Sequence, residues 1–200
     1  MSARTKKLLK GIAMEKVVRL FVSKMIEQNV IEEQRRAVIS YGLELFFSSV
    51  INILSILLIS VLINREGGII LLLLVSVPLQ SFGGGYHCNT HLRCWILTTG
   101  GYLAAVLGAV YIPVGVLICF AIISAYPFFR LSPVENPMAP FGDKFKEKMK
   151  KVVRIAYLLG ILISLILLVF ESEGARFILA GISMEGVSVL GAECKRKRLE

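Results

Sequence analysis

The sequence predicts an all-α fold, a polytopic membrane helical bundle of about six spans, some of them short or re-entrant, with an amphipathic helix at the N-terminus. Hydrophobic residues make up 56% of its 200 residues and the mean hydropathy is +0.72, more apolar surface than a soluble domain of this length can bury in one core. Apolar stretches recur along the chain, separated by short polar connectors, at lengths near those of membrane helices. Of the 23 lysines and arginines, all but Arg65 and Arg176 fall in alternate connectors, as expected where cytoplasmic loops collect positive charge. The net charge of +9 is therefore read as flanking membrane spans, and nucleic acid is excluded as a partner because it needs a basic face on a folded soluble domain.

Residues 1–40 form a basic cytoplasmic or interfacial segment. Within it Leu8, Leu9, Ile12, Val17, Leu20, Phe21 and Met25 recur at roughly helical spacing among lysines, as in a helix lying on an anionic membrane surface. Arg19 and Lys24 interrupt that stretch and no small-residue cleavage site follows, so no secretory signal is read there. Residues 41–192 form the membrane domain, with apolar segments at about Leu45–Ile63, Gly67–Phe82, Trp95–Val110, Val114–Phe129, Ile155–Phe170 and Phe177–Leu190. Several fall short of the roughly 20 residues of a perpendicular span. The second, which runs into glycines, is expected to be the re-entrant one if any is, and the sixth, rich in glycine and carrying Glu185, to be short or interfacial with that carboxylate solvated. Glu44, near the start of the first span, reads as a boundary carboxylate.

Residues 130–154 are a cytoplasmic loop. Its turn-rich start, Leu131 to Pro140, gives way to Lys144, Lys146, Lys148, Lys150 and Lys151, a positive-inside anchor that is also suited to holding an acidic peptide. Residues 193–200 are a basic tail. Both termini and the connector between the second and third segments are expected in the cytoplasm, in a multi-pass protein of the cell membrane. Cys88, Cys94, Cys119 and Cys194 show no disulfide spacing and are expected to be reduced.

The connector Gly83-Gly84-Gly85-Tyr86-His87-Cys88-Asn89-Thr90-His91-Leu92-Arg93-Cys94 concentrates the reactive side chains. A thiol is a useful nucleophile at neutral pH where an imidazolium, a cation or a helix N-terminus favours its thiolate. Cys94 has all three nearby: two histidines upstream, Arg93 beside it, and the start of the third apolar helix, with Asn89 or Thr90 as the N-cap. His91, three residues before Cys94, shares its face in a continuous helix. His87, seven residues before, lies about 10 Å along a straight helix and reaches Cys94 only if the chain folds back, for which the glycines supply freedom. The rival chemistry takes His87, Cys88, His91 and Cys94 as a tetrahedral zinc set, but adjacent His87 and Cys88 converge poorly on one ion. No metal and no cofactor is expected. The blandest alternative has these residues only packing and capping helices.

With these residues the chain resembles the accessory gene regulator B family, membrane peptidases that process quorum-sensing peptide precursors in Gram-positive bacteria. The resemblance rests on Tyr41-Gly42-Leu43-Glu44 opening the first span, on Gly84-Gly85-Tyr86-His87 followed seven residues after the histidine by Cys94, and on Pro133-Val134-Glu135-Asn136-Pro137 preceding a lysine run. It implies His87 as base and Cys94 as nucleophile of a cysteine peptidase; the candidate substrate-binding residues are Gly84 and Gly85, where a substrate backbone can approach closely, Gln80 just before them, and Lys144, Lys146, Lys148, Lys150 and Lys151, whose charge suits an acidic peptide. Members commonly carry an arginine shortly before the glycines, where this chain has Gln80, so a cation that bears on substrate anchoring or on the local charge balance is missing, while His87 and Cys94 are intact. The implied reaction removes the acidic tail of a small amphipathic propeptide through an acyl-enzyme, after which an internal cysteine or serine closes a thiolactone or lactone. The expected partners are that propeptide, the lipid bilayer and, in a homodimer, a second copy of the chain.

The alternative class is non-enzymatic: a transporter subunit, or a metal-binding membrane protein using the His/Cys stretch. A transporter places charged or polar groups on several spans along a common path, and the span interiors are read here as nearly free of such groups.

Overall fold

The computed structural model describes residues 16–86, 88, 91–134 and 142–198, with the side chains of Tyr41, Leu45 and His91 outside that description. Among the described residues the secondary structure is helical, with no strand. A first helix, α1, is described over 16–27. After a short 3-10 turn at Glu33–Arg35 come α2 (Arg36–Leu62), α3 (Glu66–Gly83), α4 (His91–Tyr111), α5 (Val114–Ile123), a π turn at Pro127–Leu131, α6 (Asp143–Val169) and α7 (Gly174–Lys197). Six helical stretches are long and apolar enough to cross a membrane, the fourth running from Val114 through the π turn to Leu131. The chain divides into two compact units, one made of Met1–Ile56 with Cys88–Thr99 and the other of Leu57–His87 with Gly100–Glu200.

In the first unit α1 turns into α2 through a left-handed residue, Asn29. Arg36 fixes that turn, since its guanidinium pairs with the Glu33 carboxylate and also donates to the Ser23 hydroxyl at 3.1 Å. Val18 and Val22, four apart on one face of α1, are fully buried, while Val17, Leu20 and Phe21 are exposed. That second apolar face is the kind a surface-lying helix offers to lipid. The residues before 16, which the sequence reads as part of the same helix, lie outside the description.

The second unit is built around α7, which packs against α3, α5 and α6. Without a hydrophobic driving force inside a bilayer, helices associate by close backbone approach over small residues, and α7 supplies them. A Cβ on Gly181 would stand 3.0 Å from Ser76 Oγ and 3.1 Å from a Val75 methyl of α3, and one on Gly186 would run into Ser124. On α6, Gly160 likewise leaves no room, its Cβ position lying 2.8 Å from Val75. The sixth segment, expected to be short or interfacial, is instead a full-length helix and the most enclosed of the six, with 61% of its apolar window buried. Its glycines are packing surfaces.

Glu185 corrects the same expectation. It is 1% exposed in the middle of α7, with Oε2 lacking a partner among the described residues. Ser76 of α3 and Tyr102 of α4 are also buried, so the bundle interior holds a polar cluster where the sequence was read as nearly free of one.

Elsewhere polar side chains repair broken backbone ladders. Proline at 127 lacks an N–H and ends the regular ladder of α5, and two residues of α6 serve the stretch around it: Tyr157 Oη donates to the Ala121 carbonyl at 3.0 Å and Arg154 to the Phe129 carbonyl at 3.1 Å. The two basic residues outside the main charge pattern have comparable roles. Arg176 donates to the carbonyls of Val110 and Ile112, at 3.2 and 2.8 Å, satisfying acceptors that the end of α4 leaves without helical partners. Arg65 pairs with Glu173 at 3.5 Å.

Candidate active site

Cys94 occupies the first turn of α4, three residues after the helix begins at His91, where backbone N–H groups have no intrahelical acceptor. Its thiol is half-exposed and unbridged, as is Cys88, while Cys119 and Cys194 are exposed. The next residue holds this turn in place within its unit: the Trp95 indole N–H donates to Ser55 Oγ of α2 at 3.0 Å. Ser55 can accept there because its own hydroxyl proton goes to the Ile51 carbonyl one turn back. The expected N-cap residues Asn89 and Thr90, and His87 itself, lie outside the described residues. The same holds for the His91 side chain, so two of the four groups weighed as zinc ligands have no described position.

Gln80, Gly84 and Gly85 come together in the second unit, at the end of α3. Gly83 closes that helix, and Gly84 turns the chain with φ of +73°, a backbone conformation open to glycine. A side chain at Gly84 would also meet the Val134 carbonyl oxygen at 2.6 Å, and one at Gly85 would stand 3.1 Å from both Gln80 Cγ and Ser188 Oγ. The chain's own groups thus fill the space beside both glycines.

Two separate parts of the sequence bind this segment. The Gly83 carbonyl accepts from the Val134 N–H at 3.0 Å and from Ser132 Oγ at 3.1 Å. The Tyr86 N–H donates to Ser188 Oγ of α7 at 3.1 Å, and Lys195 Nζ stands 5.4 Å from the centre of the Tyr86 ring. Sequence reasoning did not find Ser188, which sits 102 residues from its partner in the segment read as doubtful. Its spacing to Gly191 and Lys195, three and then four residues, is one helical face, visible once the helix is known to run to Lys197.

The lysine run forms the first turns of α6. Lys144, Lys148 and Lys151 are exposed and recur on one face, while Lys146 and Lys150 are half-buried; Lys150 pairs with Glu147 at 2.6 Å. Met149 and Val153 on the opposite face are buried. Residues 135–141 of the preceding loop lie outside the description. Glu44 is half-buried on α2.

No curated protein and no solved structure matches the chain. A family model does, described as accessory gene regulator B, over residues 15–189. That range takes in every one of the six spans up to Val189 of α7, the glycine turn and Cys94. The chain is a multi-pass membrane protein and belongs to the accessory gene regulator B family, whose role lies in the processing of quorum-sensing peptides.

Proposed function

We propose that the protein is a membrane cysteine endopeptidase that removes the C-terminal tail of a small amphipathic propeptide and promotes closure of the remainder into a thiolactone or lactone. His87 takes the proton of Cys94, and the thiolate attacks the scissile carbonyl. The C–S bond of a thioester forms as the C–N bond breaks, and His87 returns the proton to the leaving amine. An internal cysteine or serine of the peptide then attacks the thioester, forming the ring and releasing the Cys94 thiol. Holding the thioester at a membrane surface keeps water from competing with the ring-closing group.

The observation that supports this reading best is the placement of Cys94, a half-exposed thiol in the first turn of α4, seven residues after the histidine that follows the glycine turn. The exposed face of Lys144, Lys148 and Lys151 is suited to the acidic tail that departs. With the basic loops inside, the reaction takes place at the cytoplasmic face, before export.

The test is to trap the acyl-enzyme. The chain is co-expressed with a short peptide that has an amphipathic start, an internal cysteine changed to alanine and an acidic tail, so that ring closure is blocked. The account expects the shortened peptide as a hydroxylamine-labile adduct on Cys94, located by mass spectrometry. An adduct on Cys88, or tail release by a Cys94→Ala chain, would refute the mechanism.

A further inference from the structure

Arg65 and Arg176 are the two basic residues that break the charge pattern of the connectors, and the fold brings them together. With Ala109, Val110, Glu173 and Phe177 they line a small cavity of about 40 Å³, at the end of the second unit where α3 and α7 begin and α4 finishes. Two close approaches fix its walls. A Cβ on Gly68 would run into the Phe177 ring at 2.5 Å, and one on Gly174 would stand 2.7 Å from Leu71 Cδ1, so the starts of α3 and α7 are packed directly on each other.

The charges lining the cavity do not balance. Arg176 stands in the first turn of α7, a turn with no acidic residue and no side-chain cap, so its guanidinium lies at the positive end of the helix dipole, where an anion is favoured. It gives Nη2 to the Val110 and Ile112 carbonyls, while its Nε is shut off from solvent with no acceptor among the described residues. A buried donor left without an acceptor is costly. Glu173, the carboxylate of the lining, is 77% exposed and reaches Arg65 only at 3.5 Å. Glu66 and Glu171 on the same connectors are exposed and do not line the cavity. Two guanidiniums against one carboxylate leave the lining one positive charge in excess. The cavity sits at the ends of the spans, where Tyr111 and Phe170 are strongly exposed, as aromatic residues are at a membrane–water boundary, and where Leu62 and Leu107 are exposed beside them on the spans. This is the level of phospholipid headgroups.

We propose that this cavity is a phospholipid headgroup site, in which Arg65 and Arg176 hold the phosphodiester of a lipid with one net negative charge, such as phosphatidylglycerol. The planar guanidinium fork matches phosphate oxygens, and Arg176 Nε gains the acceptor it lacks. A cavity of this size admits the non-bridging oxygens and leaves the ester chains outside, along the exposed apolar faces of the spans. Glu173 is a rival anion for Arg65. The site is independent of the chemistry at Cys94, and its test reads binding alone.

The full chain, purified in a nonionic detergent, is titrated with dioleoyl phosphatidylglycerol or dioleoyl phosphatidylcholine and the bound lipid is counted by native mass spectrometry. The parent should retain one phosphatidylglycerol with about tenfold preference over phosphatidylcholine, and Arg65→Gln and Arg176→Gln should each weaken that binding by about tenfold, the loss of one hydrogen bond to a charged group. Glu173→Gln should tighten it several-fold. Glutamine at 176 keeps a donor for the carbonyls at the end of α4, and Arg65, with its half-exposed side chain, gives a variant that bears less on folding. Joint change of Lys144, Lys148 and Lys151 to glutamine, at the other end of α6, should leave the binding unchanged. Glycerophosphoglycerol, the same diester without acyl chains, should not displace the lipid even in large excess.

Parental binding in both Arg65→Gln and Arg176→Gln, or equal retention of phosphatidylcholine, would overturn the proposal. Loss of binding in the lysine variant would move the lipid to the lysine face and overturn it too. Weaker binding in Glu173→Gln would show that Glu173 and the arginines form a structural ion pair alone, and displacement by glycerophosphoglycerol would show a site for a free phosphodiester; each refutes a lipid site.

Discussion

The indole N–H of Trp95 donates to the hydroxyl of Ser55 at 3.0 Å, tying the turn that carries Cys94 to α2. Trp95→Phe removes the donor and Ser55→Ala the acceptor, each at the cost of one hydrogen bond, about 0.5–1.5 kcal/mol. Each should reduce processing by roughly two- to tenfold at equal protein level, and the double variant should be no worse than the more impaired single. A double variant whose loss is the product of the two single losses would show that the pair does not act as a unit.

The glycines before His87 should rank by what stands next to them. Gly84→Ala combines a left-handed φ, at a cost of about 1–2 kcal/mol, with a backbone carbonyl 2.6 Å from the new carbon. Gly85→Ala meets flexible groups at 3.1 Å, and Gly191→Ala makes an ordinary contact. Processing should fall most for Gly84→Ala, less for Gly85→Ala and least for Gly191→Ala. Any other order, at matched protein levels, would contradict the packing described for this turn.

Glu185 sits fully buried in α7. Glu185→Gln keeps its shape without bringing in a charge, and should accumulate in membranes to a level close to the parent's. Glu185→Lys places an ammonium where it has no exit to water, at about 2.5–3.5 kcal/mol in a membrane helix, and should reduce accumulation by more than about tenfold. Equal accumulation of the lysine variant would mean that this part of α7 is open to water.

Hydropathy made the helix count legible, because bilayer thickness and backbone satisfaction admit few other solutions for apolar runs of this length. The rank of those helices within the bundle was not legible. Gly181, Gly186 and Glu185 lower the apparent hydropathy of α7, yet glycines bring it closest to its neighbours and the carboxylate is enclosed by them. A hydropathy average cannot tell a weakly apolar edge from a tightly packed centre. At the candidate site, Cys94 and the glycine turn could be read from local spacing. Ser188 and Ser132 could not, since a hydrogen bond between a loop and a remote helix leaves no periodic trace. The exceptional basic residue Arg176 similarly acquires a reason only when the carbonyls at the end of α4 are placed beside it.

The basic loops predict the orientation of the spans, and labelling tests it. Single cysteines at Ser2, Gly142 and Ser172, in a chain lacking native thiols, should react with an impermeant reagent in intact cells only at Ser172. Labelling at Gly142 would place the lysine face outside, where an acidic tail cut in the cytoplasm could not reach it.

The identity of the nucleophile tests the account most directly. The chain, Cys94→Ala and Cys88→Ala are each co-expressed with the precursor peptide, and release of its tail is followed on a gel at matched membrane levels. The account predicts no cleavage by Cys94→Ala and most of the parental cleavage by Cys88→Ala. Full processing by Cys94→Ala would contradict it.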